Sequence, residues 1–141
     1  MQDRQLYEQI LGIGTPWQVR EVELKLAERE VHVYLGHGSA AVWPCPECGR
    51  ECPLYDHQPD RSWRHLDTCQ YRTVLHAELP RANCPEHGVR VVRVAWAEPH
   101  SRFTALFERL AIDWLGAASQ QAVAERLGLT WDEVHGIMER A

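Results

Sequence analysis

Cys45-Pro46-Glu47-Cys48-Gly49 and its echo Cys84-Pro85-Glu86-His87-Gly88 decide the reading of this chain. Both follow the pattern C-P-E-[C/H]-G. Two ligand pairs, each with two residues between the partners, are the usual way to build a tetrahedral zinc site. The gap lets the chain turn so that both side chains point at one ion. Proline presets the turn, and glycine after the second ligand tolerates a positive φ. Cys45, Cys48, Cys84 and His87 are therefore the expected ligands of one structural Zn²⁺. With all four positions filled by protein, no coordination site is left for water. Cys52, beside the first pair, is an alternative to Cys48. Cys69 is expected to fill a small buried space. His57, His65 and His76 lie between the pairs and read as surface or hairpin histidines.

The chain has 141 residues, 45% of them hydrophobic, enough for one ordinary domain or two small ones. It contains no apolar run long enough to span a membrane. Its N-terminus lacks the form of an export signal. Five cysteines without such a signal suit a reducing cytoplasm, where closely spaced pairs bind metal rather than form disulfides. The net charge of −5 does not advertise nucleic-acid binding, but it is unevenly spread. Residues 61–93 carry six arginines (Arg61, Arg64, Arg72, Arg81, Arg90 and Arg93) against three acids.

Periodicity predicts an α+β chain: a small antiparallel β zinc ribbon followed by a three-helix helix-turn-helix domain. Residues 3–11 read as a short helix with Leu6, Ile10 and Tyr7 on one face. Val22, Leu24 and Leu26, then Val31, Val33 and Leu35, alternate with polar residues as in a hairpin. Residues 40–43 lead as a strand into the first metal turn, and residues 53–60 read as loop. Strands at 62–66 and 71–79, joined near 67–70, fall between the two metal turns, and 89–94 follows the second. From Ser101, a plausible N-cap, the period becomes helical, with Phe103, Leu106, Phe107, Leu110, Trp114 and Leu115 in one stripe. A second helix covers 119–127. Gly128-Leu129 turns, and Thr130 with Glu133 forms a capping box at the start of a third helix. The expected division is 1–39 (N-terminal helix and β-hairpin), 40–97 (zinc ribbon) and 98–141 (helix-turn-helix).

With these particular residues, the chain resembles the N-terminal part of insertion-sequence transposases of the ISL-three family. The similarity spans about residues 40–141. It rests on CPECG, RSWRHLDTCQYRT, CPEHG, WAEPHSRFTALFERLAIDWL and AERLGLTWDEVHGIMERA. The resemblance implies that the ribbon and helix-turn-helix bind double-stranded DNA at terminal inverted repeats. It also implies that cutting and joining belong to a further acidic, metal-dependent domain, so this chain by itself is not expected to be an enzyme. The expected partner is DNA, with a homodimer allowed for and neither a membrane nor a small-molecule substrate. The third helix should offer Trp131, Asp132 and His135 to base edges, because Val134 and Ile137 must face the core. Arg61, Arg64, Arg72 and Arg81 should supply phosphate contacts. Two other readings compete. One is a stand-alone regulator with the same two modules. The other is a zinc-dependent nucleobase deaminase, from Pro44-Cys45-x-x-Cys48 and His76-Ala77-Glu78; its motif order is reversed, and it leaves Cys84 and His87 unexplained.

Overall fold

A computed structural model of the chain describes residues 3–14, 16–38 and 42–141. Part of the strand expected at 40–43 lies outside these residues. Helix α1 (Asp3–Leu11) precedes strands β1 (Trp17–Lys25) and β2 (Glu30–His37). β3 (Trp43–Pro44), β4 (Glu51–Cys52) and β5 (Leu54–His57) follow, then β6 (Arg61–Thr68), β7 (Tyr71–Ala77), β8 (Pro80–Cys84) and β9 (Gly88–Val91). Three helices end the chain: α2 (Ala105–Leu115), α3 (Gln120–Leu127) and α4 (Trp131–Arg140). The class is α+β with several small sheets. No helix among the described residues is long and apolar enough to cross a membrane.

The largest sheet has the order β1-β2-β7-β6. β2 and β7 pair in parallel, with Val33 opposite Leu75, while the other two pairs are antiparallel hairpins. This corrects the plan read from the sequence. The hairpin between the metal turns pairs with the N-terminal hairpin in one sheet, across the boundary expected at residue 39, and not with the strands that carry the metal turns. The physical reason is the alternation itself. Val31, Val33 and Leu35 on β2 and Thr73, Leu75 and Ala77 on β7 are each buried on one face. Neither hairpin alone could cover such a face. A bulge between Val19 and Glu21 lets Val19 and Val22 share that face on β1.

Helix α1 covers the same core. It does so through Tyr7 and Leu11, not Leu6 and Ile10, which stay exposed. The Tyr7 hydroxyl bonds Thr68 Oγ1 at 2.8 Å, and Glu8 accepts the Val19 N–H at 2.9 Å. These two polar anchors set the helix's rotation. Cys69 is exposed rather than buried. Cys69 and Gln70 both have positive φ (49° and 71°), as a two-residue hairpin turn between β6 and β7 requires.

The ribbon is built from β3-β4 and from the antiparallel sheet β5-β8-β9. β5 lies where the sequence suggested only loop. Its core is small: Trp43, Cys45, Cys52, Ala82, Cys84 and Val92. A chain of rings joins it to the larger core. Trp63 meets Trp96 at 5.5 Å, Trp96 meets Trp17 at 5.1 Å, and Trp17 meets Trp43 at 5.5 Å.

The three C-terminal helices pack around Phe103, Phe107, Ala111 and Ile137. Leu106 and Trp114, expected in the buried stripe, are exposed. The helix starts later than expected, because Thr104, not Ser101, is its N-cap and accepts the Phe107 N–H. Before it, residues 102–104 run alongside β6. The Arg64 N–H bonds the Arg102 carbonyl, and the Arg64 carbonyl accepts the Thr104 N–H, both at 2.9 Å. Ser101 instead bonds the buried Glu108 carboxylate at 2.7 Å, which also takes the Arg140 guanidinium from α4.

Candidate metal centre and nucleic-acid interface

The four expected ligands converge. One ligand atom from each of Cys45, Cys48, Cys84 and His87 lies within 4.8 Å of all the others. The Cys48 and Cys84 sulfurs are 3.8 Å apart, and His87 Nδ1 is 3.7 Å from Cys45 Sγ and 3.6 Å from Cys84 Sγ. A tetrahedral zinc with sulfur at about 2.3 Å and nitrogen at about 2.0–2.1 Å requires edges of about 3.8 and about 3.6 Å. The donor set fits the ion in chemistry and in size.

Each turn is shaped for this role. The Gly49 N–H bonds the Cys45 carbonyl at 2.8 Å, and Gly49 and Gly88 have φ of 76° and 75°. The ordinary left-handed preference of glycine is used at both places. Burial alone would raise the Cys84 thiol, but the backbone N–H groups of His87 and Glu86, and the His87 ring, bring it down to about 6. This lowering favours the thiolate, the form that binds metal. Burial, and after it Cys84, pushes the Cys52 thiol up. Cys52 donates to the Arg50 carbonyl at 3.2 Å and packs in the ribbon core, outside the ligand set.

The repeated glutamates cross between the turns. Glu47 of the first lies 3.6 Å from His87 Nε2 and 3.5 Å from Arg90, and Glu86 of the second lies 3.4 Å from Arg50. Exposed pairs of this length add little stability. At 3.6 Å the Glu47 carboxylate stands beside the far nitrogen of His87 without hydrogen-bonding it, one small step from the position from which a carboxylate orients a ligating ring. This crossing of the two glutamates was not evident from their spacing.

At the other end, Val134 and Ile137 of α4 are buried, and Trp131, Asp132 and His135 are exposed. Trp131 and His135, one turn apart, meet with ring centroids 4.9 Å apart. The capping box is complete. Glu133 accepts the Thr130 N–H at 2.8 Å and donates its own N–H to the Thr130 hydroxyl at 3.1 Å. Glu133 is thus turned onto the helix end, which explains one of the two acids at that terminus. Gly128, with φ of 67°, caps α3.

The four arginines expected on phosphate are not equivalent. Arg81 forms a bidentate pair with Asp56, which draws the Asp56 carboxyl below its usual range. Arg61 donates to the Ser101 carbonyl at 2.8 Å and lies over Trp63. Arg64 donates to the Leu127 carbonyl at the end of α3 and stacks 4.7 Å over Phe107. Arg72 alone of the four is exposed, against Gly128. Arg64 is therefore a clamp between sheet and helices, and its neighbour His65 is a second, bonding Thr104. Their type gave no hint of this, because a surface arginine and a clamping arginine look alike in a strand.

Comparison with known proteins agrees with this arrangement. Residues 41–87 match the family model described as the zinc-finger of transposase IS204/IS1001/IS1096/IS1165. Residues 92–141 match the helix-turn-helix domain of transposase family ISL3. Two curated relatives, from the CDC 1551 / Oshkosh and H37Rv strains of Mycobacterium tuberculosis, are each named as the transposase for insertion sequence element IS1557. Each is 33% identical over 146 residues, which cover 99% of this chain and 33% of the relative. The chain thus spans about a third of the length of these relatives. No solved structure matches the chain at a significant level. Ribbon ligands, ribbon core and capped helices all fall within the two matched segments, and the chain carries the structural zinc ribbon and the helix-turn-helix region of the ISL3 family of insertion-sequence transposases.

Proposed function

We propose that this chain is the DNA-recognition segment of a transposase and binds the terminal inverted repeats of its insertion sequence as double-stranded DNA. The observation that carries the reading is α4. It follows a left-handed glycine turn, buries Val134 and Ile137, and presents Trp131, Asp132 and His135 on its opposite side. In a three-helix helix-turn-helix domain this helix enters the major groove with its N-terminal residues nearest the base edges. Zinc holds the ribbon and takes no part in chemistry. Of the arginines, Arg72 remains available to phosphate, while Arg61, Arg64 and Arg81 are engaged within the chain. We assign cutting and joining of DNA to none of these residues.

The test is a binding titration of zinc-loaded protein against a duplex carrying the inverted repeat that flanks its coding sequence, with a scrambled duplex of equal length alongside. Tighter binding to the repeat, by at least tenfold, supports the reading. Equal binding to both duplexes rules out sequence recognition.

A further inference from the structure

A groove of about 730 Å³ separates the outer face of the large sheet from the turn between α3 and α4. Arg61, Arg64, Arg72 and Arg102 line it, together with Glu30, Asp60 and Glu133. By formal charge it is nearly balanced, but the partners are not. Glu30 lies 3.0 Å from His32 Nε2, Asp60 lies 3.3 Å from His76 Nδ1, and Glu133 accepts the Thr130 N–H. Each acid thus has a hydrogen-bonding or close polar partner, though its charge still acts on the arginines nearby, as Glu133 does on Arg64. Arg72 and Arg102 have no carboxylate within ion-pair distance among the described residues. Four arginines against three acids leave the groove a small positive excess, and Arg72 and Arg102 are its cations without an ion-pair partner among the described residues.

The arginines also converge. The point where a Cβ would stand on Gly128 lies 2.8 Å from Arg72 Nη2 and 4.0 Å from Arg64 Nη1. Two guanidinium groups thus approach one spot beside the turn. Burial lowers the proton affinity of Arg64, and the charge of Arg72 is the next largest cause. Asp67, 3.4 Å from Arg64, offsets part of this, and an anion seated between the two guanidinium groups would offset their mutual repulsion. The main chain of Arg102 is fixed beside β6, since its carbonyl accepts the Arg64 N–H, and its exposed side chain lines the groove. Glu133 places one wall of the groove on α4, so the groove flanks the helix that offers Asp132 and His135. Along the flanks of a helix in a major groove runs the sugar-phosphate backbone.

We propose that this groove seats a backbone phosphate of the duplex that α4 reads, with Arg72 and Arg102 as its ligands. The proposal rests on the DNA-binding reading above and adds a position and a second arginine to it. The contact fixes register on the duplex and carries no base preference.

The experiment measures affinity by fluorescence anisotropy at 50–300 mM NaCl, using a random-sequence 24-base-pair duplex and the inverted-repeat duplex. Arg72→Ala and Arg102→Ala should each flatten the plot of log affinity against log salt by part of the slope of one phosphate contact, and the double variant by the whole of it, about 0.9. Arg72→Lys and Arg102→Lys should keep the wild-type slope. The ratio of affinities for the two duplexes should stay at its wild-type value throughout. Arg81→Ala, whose arginine is taken by Asp56, should not flatten the plot. Zinc content and helical circular dichroism, unchanged in the exposed-arginine variants, show that the fold is kept. Wild-type slopes in both alanine variants, with wild-type protein binding normally, overturn the groove and leave DNA recognition standing. Failure of the wild-type protein to bind either duplex overturns both.

Discussion

His65 Nδ1 lies 2.8 Å from the Thr104 hydroxyl, and the same hydroxyl caps α2 by accepting the Phe107 N–H. A buried histidine on β6 is thus wired to the first turn of the C-terminal helices. Burial holds the His65 pKa down to about 4. The unfolded chain takes up that proton near pH 6.5, so between about 4 and 6.5 it binds more protons than the folded one. Stability from this group is therefore complete above about pH 6.5 and is lost as pH falls toward 4. The full difference is about 3 kcal/mol. Urea unfolding of wild type and His65→Gln at pH 4.5, 5.5 and 7 isolates it. The variant should lose less stability than wild type between pH 7 and 4.5. Equal losses would show that His65 does not govern this range.

Zinc removal should act locally. The ribbon core has only six buried residues, and two of them, Cys45 and Cys84, are ligands. The larger core is built on Val33, Trp63 and Leu75, which touch no ligand. Structural zinc is worth about 10–16 kcal/mol in small peptides, far more than such a ribbon core could replace. Chelation should therefore expose the Cys45, Gly49 and Asn83 amides to hydrogen exchange while the Leu75 amide and the far-UV helix signal persist. Trp43, 3% exposed and joined to Trp17, should report the loss as a red-shifted emission. Collapse of the Leu75 protection along with Gly49 would mean that ribbon and sheet unfold as one unit. Cys84→Ser should leave less than half an equivalent of bound zinc.

These two sites show what the sequence carries and what it omits. The ligands were legible because coordination chemistry dictates residue type and short spacing. The capping box, the left-handed Gly128 and the outward side of α4 were legible for the same reason: each is decided within a few residues. The parallel β2–β7 pairing was not, because alternation says which side of a strand is buried and nothing about which strand lies beside it. Likewise Arg64 and His65 sit in a stretch that reads as an ordinary strand. Their roles depend on Leu127 and Thr104, 63 and 39 residues away. The expected burial of Leu6, Ile10, Leu106 and Trp114 failed on phase. Polar anchors at Tyr7, Glu8 and Thr104 set where each helix starts or how it is turned.

Gly128 provides a local test of the turn. Its φ of 67° is strained for any residue with a side chain, and a Cβ there would stand 2.8 Å from the Arg72 guanidinium. Gly128→Ala should cost about 1–2 kcal/mol from the backbone alone. Gly128→Asn, whose side chain tolerates this region better, should cost less. Thermal unfolding ranks the three proteins, and alanine as stable as glycine would rule out the left-handed turn.

The last prediction concerns α4, the helix proposed to read DNA. Trp131 and His135 are one turn apart with rings in contact, and Trp131 is 55% exposed. A tryptophan this open, packed against a histidine and not the core, can hold the imidazole at a fixed angle over the groove floor. His135→Ala should then reduce discrimination between the inverted repeat and a sequence changed at the contacted base by about 1–3 kcal/mol, with the salt slope unchanged. Trp131→Ala should do part of the same damage, because it frees the imidazole that it supports. The two effects must therefore fall short of additive in the double variant. Fully additive losses would show that each side chain contacts DNA on its own. A change in salt slope on removing His135 would show instead that it binds phosphate, and that base reading belongs to other residues of α4.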